Sequence, residues 1–201
     1  MSNRFNHPAA LVESDQIGPG TRVWAFAHVM AGARIGSNCN ICDHAFVESG
    51  ASVGNNVTLK NHVCVWQGVT LEDDVFVGPH VSFTNDRRPR SPRMPQVRGR
   101  YERISNWLEP TVVEQGASIG ANATIVPGIR LGRYCMIAAG SVVTSDVAPF
   151  ALMVGTPARQ FGDLCRCGQR LPGDYRSTVC RHCGESPQLR CHSSELEALT
   201  L

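Results

Sequence analysis

From Leu11 to Phe83 every sixth residue is large and apolar: Leu11, Ile17, Val23, Val29, Ile35, Ile41, Val47, Val53, Leu59, Val65, Leu71, Val77 and Phe83. Two places before each, from Thr21 on, stands a small or β-branched residue: Thr21, Ala27, Ala33, Cys39, Ala45, Ala51, Val57, Val63, Val69, Val75 and Val81. One place after, glycine recurs at Gly18, Gly36, Gly54 and Gly78. A spacing of two puts both side chains on one face of a strand, and no helix repeats every six residues in this way. The pattern predicts short strands joined by tight corners, with both apolar columns facing one core. It resumes at Val113, Ile119, Ile125, Leu131, Ile137 and Val143, with Ala117, Ala123, Cys135 and Ser141 in the small positions and Ile129 as the poor fit.

Between the two blocks lies TNDRRPRSPRMPQVRGRYERISNWLEP, residues 84–110, which breaks the period. Its seven arginines against Asp86, Glu102 and Glu109 leave it locally positive by four. An insertion in a stack of coils projects from one side, so this segment is expected to leave a corner as a structureless arm. After Val143 the stretch SDVAPFALMVGTPARQFG carries two prolines and two glycines and reads as irregular chain returning along the last coil. A division follows, with 1–160 as the repeat domain and 161–201 as an extension. Ser194 and Glu197 stand at capping-box spacing for a short C-terminal helix.

Composition changes this picture little. A net charge of +2 gives no pull toward nucleic acid, and no apolar run approaches a signal peptide or a membrane span. The expectation is a cytoplasmic protein without membrane insertion or a nucleic-acid partner. In a reducing compartment nine cysteines are not a disulfide framework. Cys39 and Cys135 fall at inward positions and read as core. Cys165, Cys167, Cys180 and Cys183 form two close pairs joined by twelve residues, a donor set for a closed tetrahedral zinc site.

The six-residue pattern resembles the hexapeptide repeat of acyltransferases built as a left-handed parallel β-helix. The resemblance implies an all-β fold of triangular coils; about nineteen hexapeptides make roughly six of them, residues 84–110 form a projecting loop, and the cysteine pairs, which resemble a zinc ribbon, imply a small C-terminal zinc-ribbon-like knob. Three hexapeptides make a coil there, so His44, His62 and His80, each 18 residues apart, should stack at one corner above Phe26. That column also suggests the zinc-binding γ-class carbonic anhydrases, whose uneven histidine spacing it does not match. GASIGANATIVPGIRLG, AAGSVVTSDV and VGTPARQ are similar to the coenzyme end of the acyltransferases. They imply acetyl-CoA at Asn122, Ala139, Gly140, Ser141, Gly155, Pro157, Ala158 and Arg159. Residues 60–90 resemble a narrower group that N-acetylates nucleotide-linked 3-amino sugars, through Lys60-Asn61, Gly68-Val69-Thr70, Glu72-Asp73, Gly78-Pro79 and Phe83-Thr84-Asn85-Asp86.

What the resemblance implies is a homotrimer that uses acetyl-CoA to acetylate the amine of a UDP- or dTDP-linked amino sugar for surface polysaccharide. The alternatives are O-acetylation of a sugar or serine, and a non-catalytic binding scaffold. Asn85 would position the amine with Asp86 in support, and His80 would be the base if the protein has one. Glu48, Lys60, Asn61, Asp86, Arg87 and Arg90 would bind the acceptor. Structural zinc would sit on the four cysteines.

Overall fold

A computed structural model of the chain describes residues 4–187. The six-residue phase becomes a left-handed parallel β-helix of triangular section. Almost every rung is a strand of two residues, of which the second points inward: Arg22–Val23, His28–Val29 and Arg34–Ile35 form one full coil. Face I runs from Phe5–Asn6 through Arg22–Val23 to Ala151–Gly155. Face II runs from Leu11–Val12 through His28–Val29 to Val142–Val143, and face III from Arg34–Ile35 to Arg130–Leu131. Face I holds eight parallel levels, more than the six coils expected. Phe5–Asn6 and Ala151–Gly155 lie outside the regular blocks and add a level at each end.

The interior is the two apolar columns. Val23, Val29, Ile41, Val47, Leu59, Ile125 and Ile137 are fully buried, and the alanines and valines of the small positions fill the gaps between them. Each such side chain contributes about 1.5–3 kcal/mol. Cys39 and Cys135 are core, and burial pushes the Cys135 thiol up to about 12. Ile129 is buried despite its size. Leu11 departs from the pattern and is exposed. Val12 aligns with Val29 and Phe5 with Arg22, so the first rungs are one residue short and Val12 takes the inward place.

The corners are turned by left-handed residues in three columns. Between faces I and II these are Phe26, His44, His62, His80, Asn122 and Gly140. Between faces II and III they are Gly32, Gly50, Gly68 and Gly128. The arm leaves at this glycine corner. Its base is closed where the Glu109 N–H donates to the Asn85 carbonyl (3.0 Å), and Thr111 N–H then pairs with Gly68 C=O (3.1 Å), restoring the stack. Rather than being structureless, the arm contains 3₁₀ segments at Pro95–Glu102 and Ile104–Asn106. Leu108 lies where a side chain on Gly68 (φ +84°) would stand: an added Cβ would come within 2.7 Å of it.

The stretch after Val143 is not irregular. Ala151–Gly155 pairs with Met136–Ile137 and then turns back as an antiparallel hairpin with Ala158–Asp163. Ala151 and Met153 continue the inward column, which outweighs the prolines. The second hairpin strand crosses the 160/161 division. Beyond it Cys165, Leu171, Cys180 and Tyr175 form a second small core. Tyr175 stacks on Phe150 (4.7 Å) and Phe150 on Tyr134 (5.3 Å), tying this knob to the last coil. The expected helix at Ser194–Leu201 lies outside the described residues. Among those described, no helix is long and apolar enough to cross a membrane.

Candidate functional site

The corner between faces I and II carries the histidine column. Successive rings stack face to face: Phe26 on His44 at 5.0 Å, His44 on His62 at 4.8 Å and His62 on His80 at 4.8 Å, the last two within 9° of parallel. That spacing is the strand repeat, so the coils themselves impose the stack. Above His80 the same corner continues as Asn122 and Gly140, since the Asn122 N–H donates to Pro79 C=O and the Gly140 N–H to Ala121 C=O. The hairpin turn then folds over it. Thr156 Oγ1 lies 3.4 Å from Gly140 O, and the Gly155 N–H donates to Ser141 Oγ (3.1 Å). His80, Asn122, Ala139, Gly140, Gly155 and Pro157 therefore share one exposed edge. Ser141 and Ala158 are buried beneath this edge. The step from His80 to the hairpin is three rungs, roughly 14 Å.

Asn85 lies across face II, at the glycine corner, five residues from His80 and roughly 15 Å away along nearly extended chain. Its side chain is held: Nδ2 donates to Gln67 C=O (3.2 Å), while the Gln67 N–H donates to Glu48 Oε2 (2.7 Å). Glu48 thus holds Gln67 by its N–H while the Gln67 carbonyl holds Asn85, a bridge the sequence reading missed. Its signal was present, because Ser49, Gln67 and Asn85 follow at 18-residue intervals. Asn61 Nδ2 lies 3.4 Å from Asp43 Oδ2 one coil down, and Lys60 is half-buried beside it on face I.

Asp86 is the anchor of the arm. Its carboxylate receives the Arg88 N–H (2.8 Å), the Tyr101 hydroxyl (3.0 Å) and the Arg100 guanidinium. Burial pushes its carboxyl up, but these donors outweigh it and hold the group below its ordinary value. The Tyr101 oxygen in turn accepts the Arg90 N–H (2.9 Å). Arg87 pairs with Glu109 (2.9 Å) and reaches Pro127 C=O (2.8 Å). Around this frame opens a cleft of about 670 Å³ lined by Arg87, Arg88, Pro89, Arg90, Arg100 and Asn106. Among the described residues, the guanidinium groups of Arg88 and Arg90 have no carboxylate partner, so the cleft suits a multiply charged anion.

The four knob cysteines converge as the spacing implied. Their sulfurs lie within 4.8 Å of one another, with Cys165–Cys183 at 3.5 Å and Cys167–Cys180 at 3.7 Å. A tetrahedron of thiolates about 2.3 Å from zinc has edges of roughly 3.8 Å, so the set fits that ion. The Cys183 and His182 backbone N–H groups draw the Cys180 thiol down to about 6, whereas burial pushes the Cys165 and Cys167 thiols up, so the cluster by itself favours a thiolate at Cys180 alone of these three.

Comparison with known proteins adds three findings. A family model described as bacterial transferase hexapeptide (six repeats) matches residues 16–49 and 110–145. A dTDP-3-amino-3,6-dideoxy-alpha-D-galactopyranose 3-N-acetyltransferase of Aneurinibacillus thermoaerophilus is 50% identical over 181 residues, covering 90% of this chain and 88% of that one. The solved structure of a Bacillus cereus protein described as a putative acetyltransferase covers 81% of this chain and 78% of its own at TM-score 0.50 and 18% identity, a likeness of fold.

Proposed function

Since the chain belongs to the hexapeptide-repeat transferase family, we propose that it is an acetyl-CoA-dependent N-acetyltransferase acting on the ring amine of a nucleotide-linked amino sugar. The acceptor is a dTDP-linked 3-amino-3,6-dideoxyhexose, and the product serves surface polysaccharide. The observation that carries this reading is identity of one residue in two over 90% of the chain to an enzyme named for that reaction. A match of that extent goes well beyond the repeat.

In the proposed mechanism the pantetheine arm runs down the corner from the hairpin turn past Gly140 and Asn122, so its thioester comes to rest near His80. The diphosphate of the acceptor occupies the arginine cleft, and Asn85 accepts a hydrogen bond from the sugar amine through Oδ1. Its Nδ2 is already engaged by Gln67, which leaves Oδ1 turned to the ligand. The neutral amine attacks the thioester carbon, a C–N bond forms, and the C–S bond breaks as the oxyanion collapses. The amine proton passes to the departing thiolate, directly or through His80. Holding nitrogen and carbonyl together supplies much of the rate.

Asn85 and His80 stand at opposite edges of face II, so one copy cannot bring both to one reacting atom. The reading therefore requires a homotrimer, with His80 of one copy facing the glycine corner of the next at three equivalent seams. The half-buried Phe46, Cys64 and Trp66 on face II, and Phe26 at 62% exposure, support such contacts. Zinc on Cys165, Cys167, Cys180 and Cys183 holds the knob together.

The test is thiol release from acetyl-CoA with a panel of dTDP- and UDP-linked amino sugars, and the product read by mass spectrometry. Turnover is expected with the dTDP-linked 3-amino sugar. No release with any member of the panel would overturn the assignment.

A further inference from the structure

At the N-terminal end of face I two aromatic rings lie side by side at the surface. Phe5 pairs with Arg22 across the first two levels, and both are exposed. The Phe5 ring meets that of Trp24 at 5.4 Å and an angle of 58°. Trp24 is half-buried and fixed: its Nε1 donates to Asn40 Oδ1 (2.6 Å), and Asn40 Nδ2 lies 3.2 Å from Cys42 Sγ. The indole therefore offers a ring face and no free N–H. Beside the rings opens a cleft of about 520 Å³, lined by Phe5, Gly20, Arg22, Trp24 and Asn38. No carboxylate lines it, and among the described residues Arg22 has no acidic partner. At its far end Gly20 (φ +76°) carries no side chain, and a Cβ there would run into Asn38 Oδ1. The glycine thus leaves room for the Asn38 amide, whose Nδ2 has no partner among the described residues.

This cleft stands apart from both substrate subsites proposed above. Along face I it is six rungs, roughly 29 Å, from the hairpin strand Ala151–Gly155. Within one copy the arginine cleft lies at the glycine corner, opposite face I. Aromatic faces stack on flat heterocycles whatever the edges of those rings carry, and an unpaired guanidinium binds phosphate. Ring pair, guanidinium and amide follow one another over roughly 13 Å of extended chain from Trp24 to Gly20, about the length of a nucleoside monophosphate. We propose that the cleft is a second nucleotide site, which takes a base on the Phe5–Trp24 pair and the phosphate on Arg22 and Asn38. The site lies off the reaction path, and it stands on this geometry whatever donor and acceptor the enzyme uses.

The experiment reads Trp24 fluorescence in the full-length chain with Trp66 and Trp107 replaced by Phe, which leaves Trp24 as the one tryptophan. AMP and dTMP are both expected to quench it, since a ring face does not discriminate between bases. Thymidine, which lacks the phosphate, is expected to bind at least tenfold more weakly than dTMP. Arg22→Gln and Phe5→Ala, both at exposed positions, should each weaken AMP and dTMP about tenfold. In an otherwise wild-type chain the same two substitutions should leave KM for acetyl-CoA and for the amino-sugar acceptor within twofold. No quenching at millimolar nucleotide would refute the site, as would unchanged affinity in either variant or equal binding of thymidine and dTMP. A raised KM for either substrate would show that the cleft holds part of that substrate and is no second site.

Discussion

Asn85 is held by chain 18 residues away, because its Nδ2 bonds the Gln67 carbonyl and Gln67 is pinned by Glu48. Asn85→Ala should lower kcat/KM about a hundredfold with the assembly intact, the order expected for a lost positioning contact. Near-normal kcat/KM would remove Asn85 from the chemistry. His80→Asn decides the fate of the proton: loss of nearly all kcat at constant KM makes His80 the base, and a small effect leaves the proton to the thiolate. Asp86 offers a pH test. Its carboxyl is held below the unfolded value of about 3.9, so its stabilisation is complete above roughly pH 5. It is lost as pH falls through the lower folded value. Trp107 packs on Tyr101 (6.0 Å), so its fluorescence, with Trp24 and Trp66 replaced by Phe, reports the arm. The signal should change below about pH 4 in that protein and be flat over the same range once Asp86→Asn is added. Identical titrations would mean that another group anchors the arm.

The rungs were the most legible elements, because their two inward columns recur every six residues whatever the surface does. Leu11 escaped for a simple reason: the first coil is one residue short, and a fixed period cannot register a slip. The hairpin escaped because Pro149, Gly155 and Pro157 suggest irregular chain, although Ala151 and Met153 carried the strand alternation beneath them. Partnerships such as Tyr101 with Asp86 had no period to reveal them, since they depend on how the arm folds back. The hexapeptide columns did predict the histidine stack, and four cysteines gave the cluster. At the glycine corner the arm's docking can be tested by stability. Gly68→Ala combines a left-handed dihedral with a contact to Leu108 and should cost about 1–2 kcal/mol in denaturant unfolding. Adding Leu108→Ala should recover the contact but not the dihedral share. Strict additivity would mean that Leu108 does not rest on Gly68.

At the level of the whole molecule, light scattering should report a mass three times 21.8 kDa at micromolar concentration. An active monomer would be incompatible with a site shared between copies. Metal analysis should find about one zinc per chain and none in Cys180→Ser/Cys183→Ser, whose knob should melt separately and earlier. Zinc retained in that variant would exclude the four-cysteine site.

The edge that bears His80, Asn122 and Gly140 is also a ruler, graduated in coils. Each graduation is one strand spacing, and on the donor path proposed above acetyl-CoA reaches from the hairpin turn to His80 across a whole number of them. Removing residues 118–135, one full turn of 18, would leave every column in register and the core continuous. It would also slide the hairpin about 4.8 Å closer to His80. Such a shortened enzyme should fold yet overshoot, carrying the thioester of acetyl-CoA past the amine. A donor with a shorter linker between phosphate and sulfur should then outperform acetyl-CoA. On that proposed path the choice of acyl carrier is written in the number of turns.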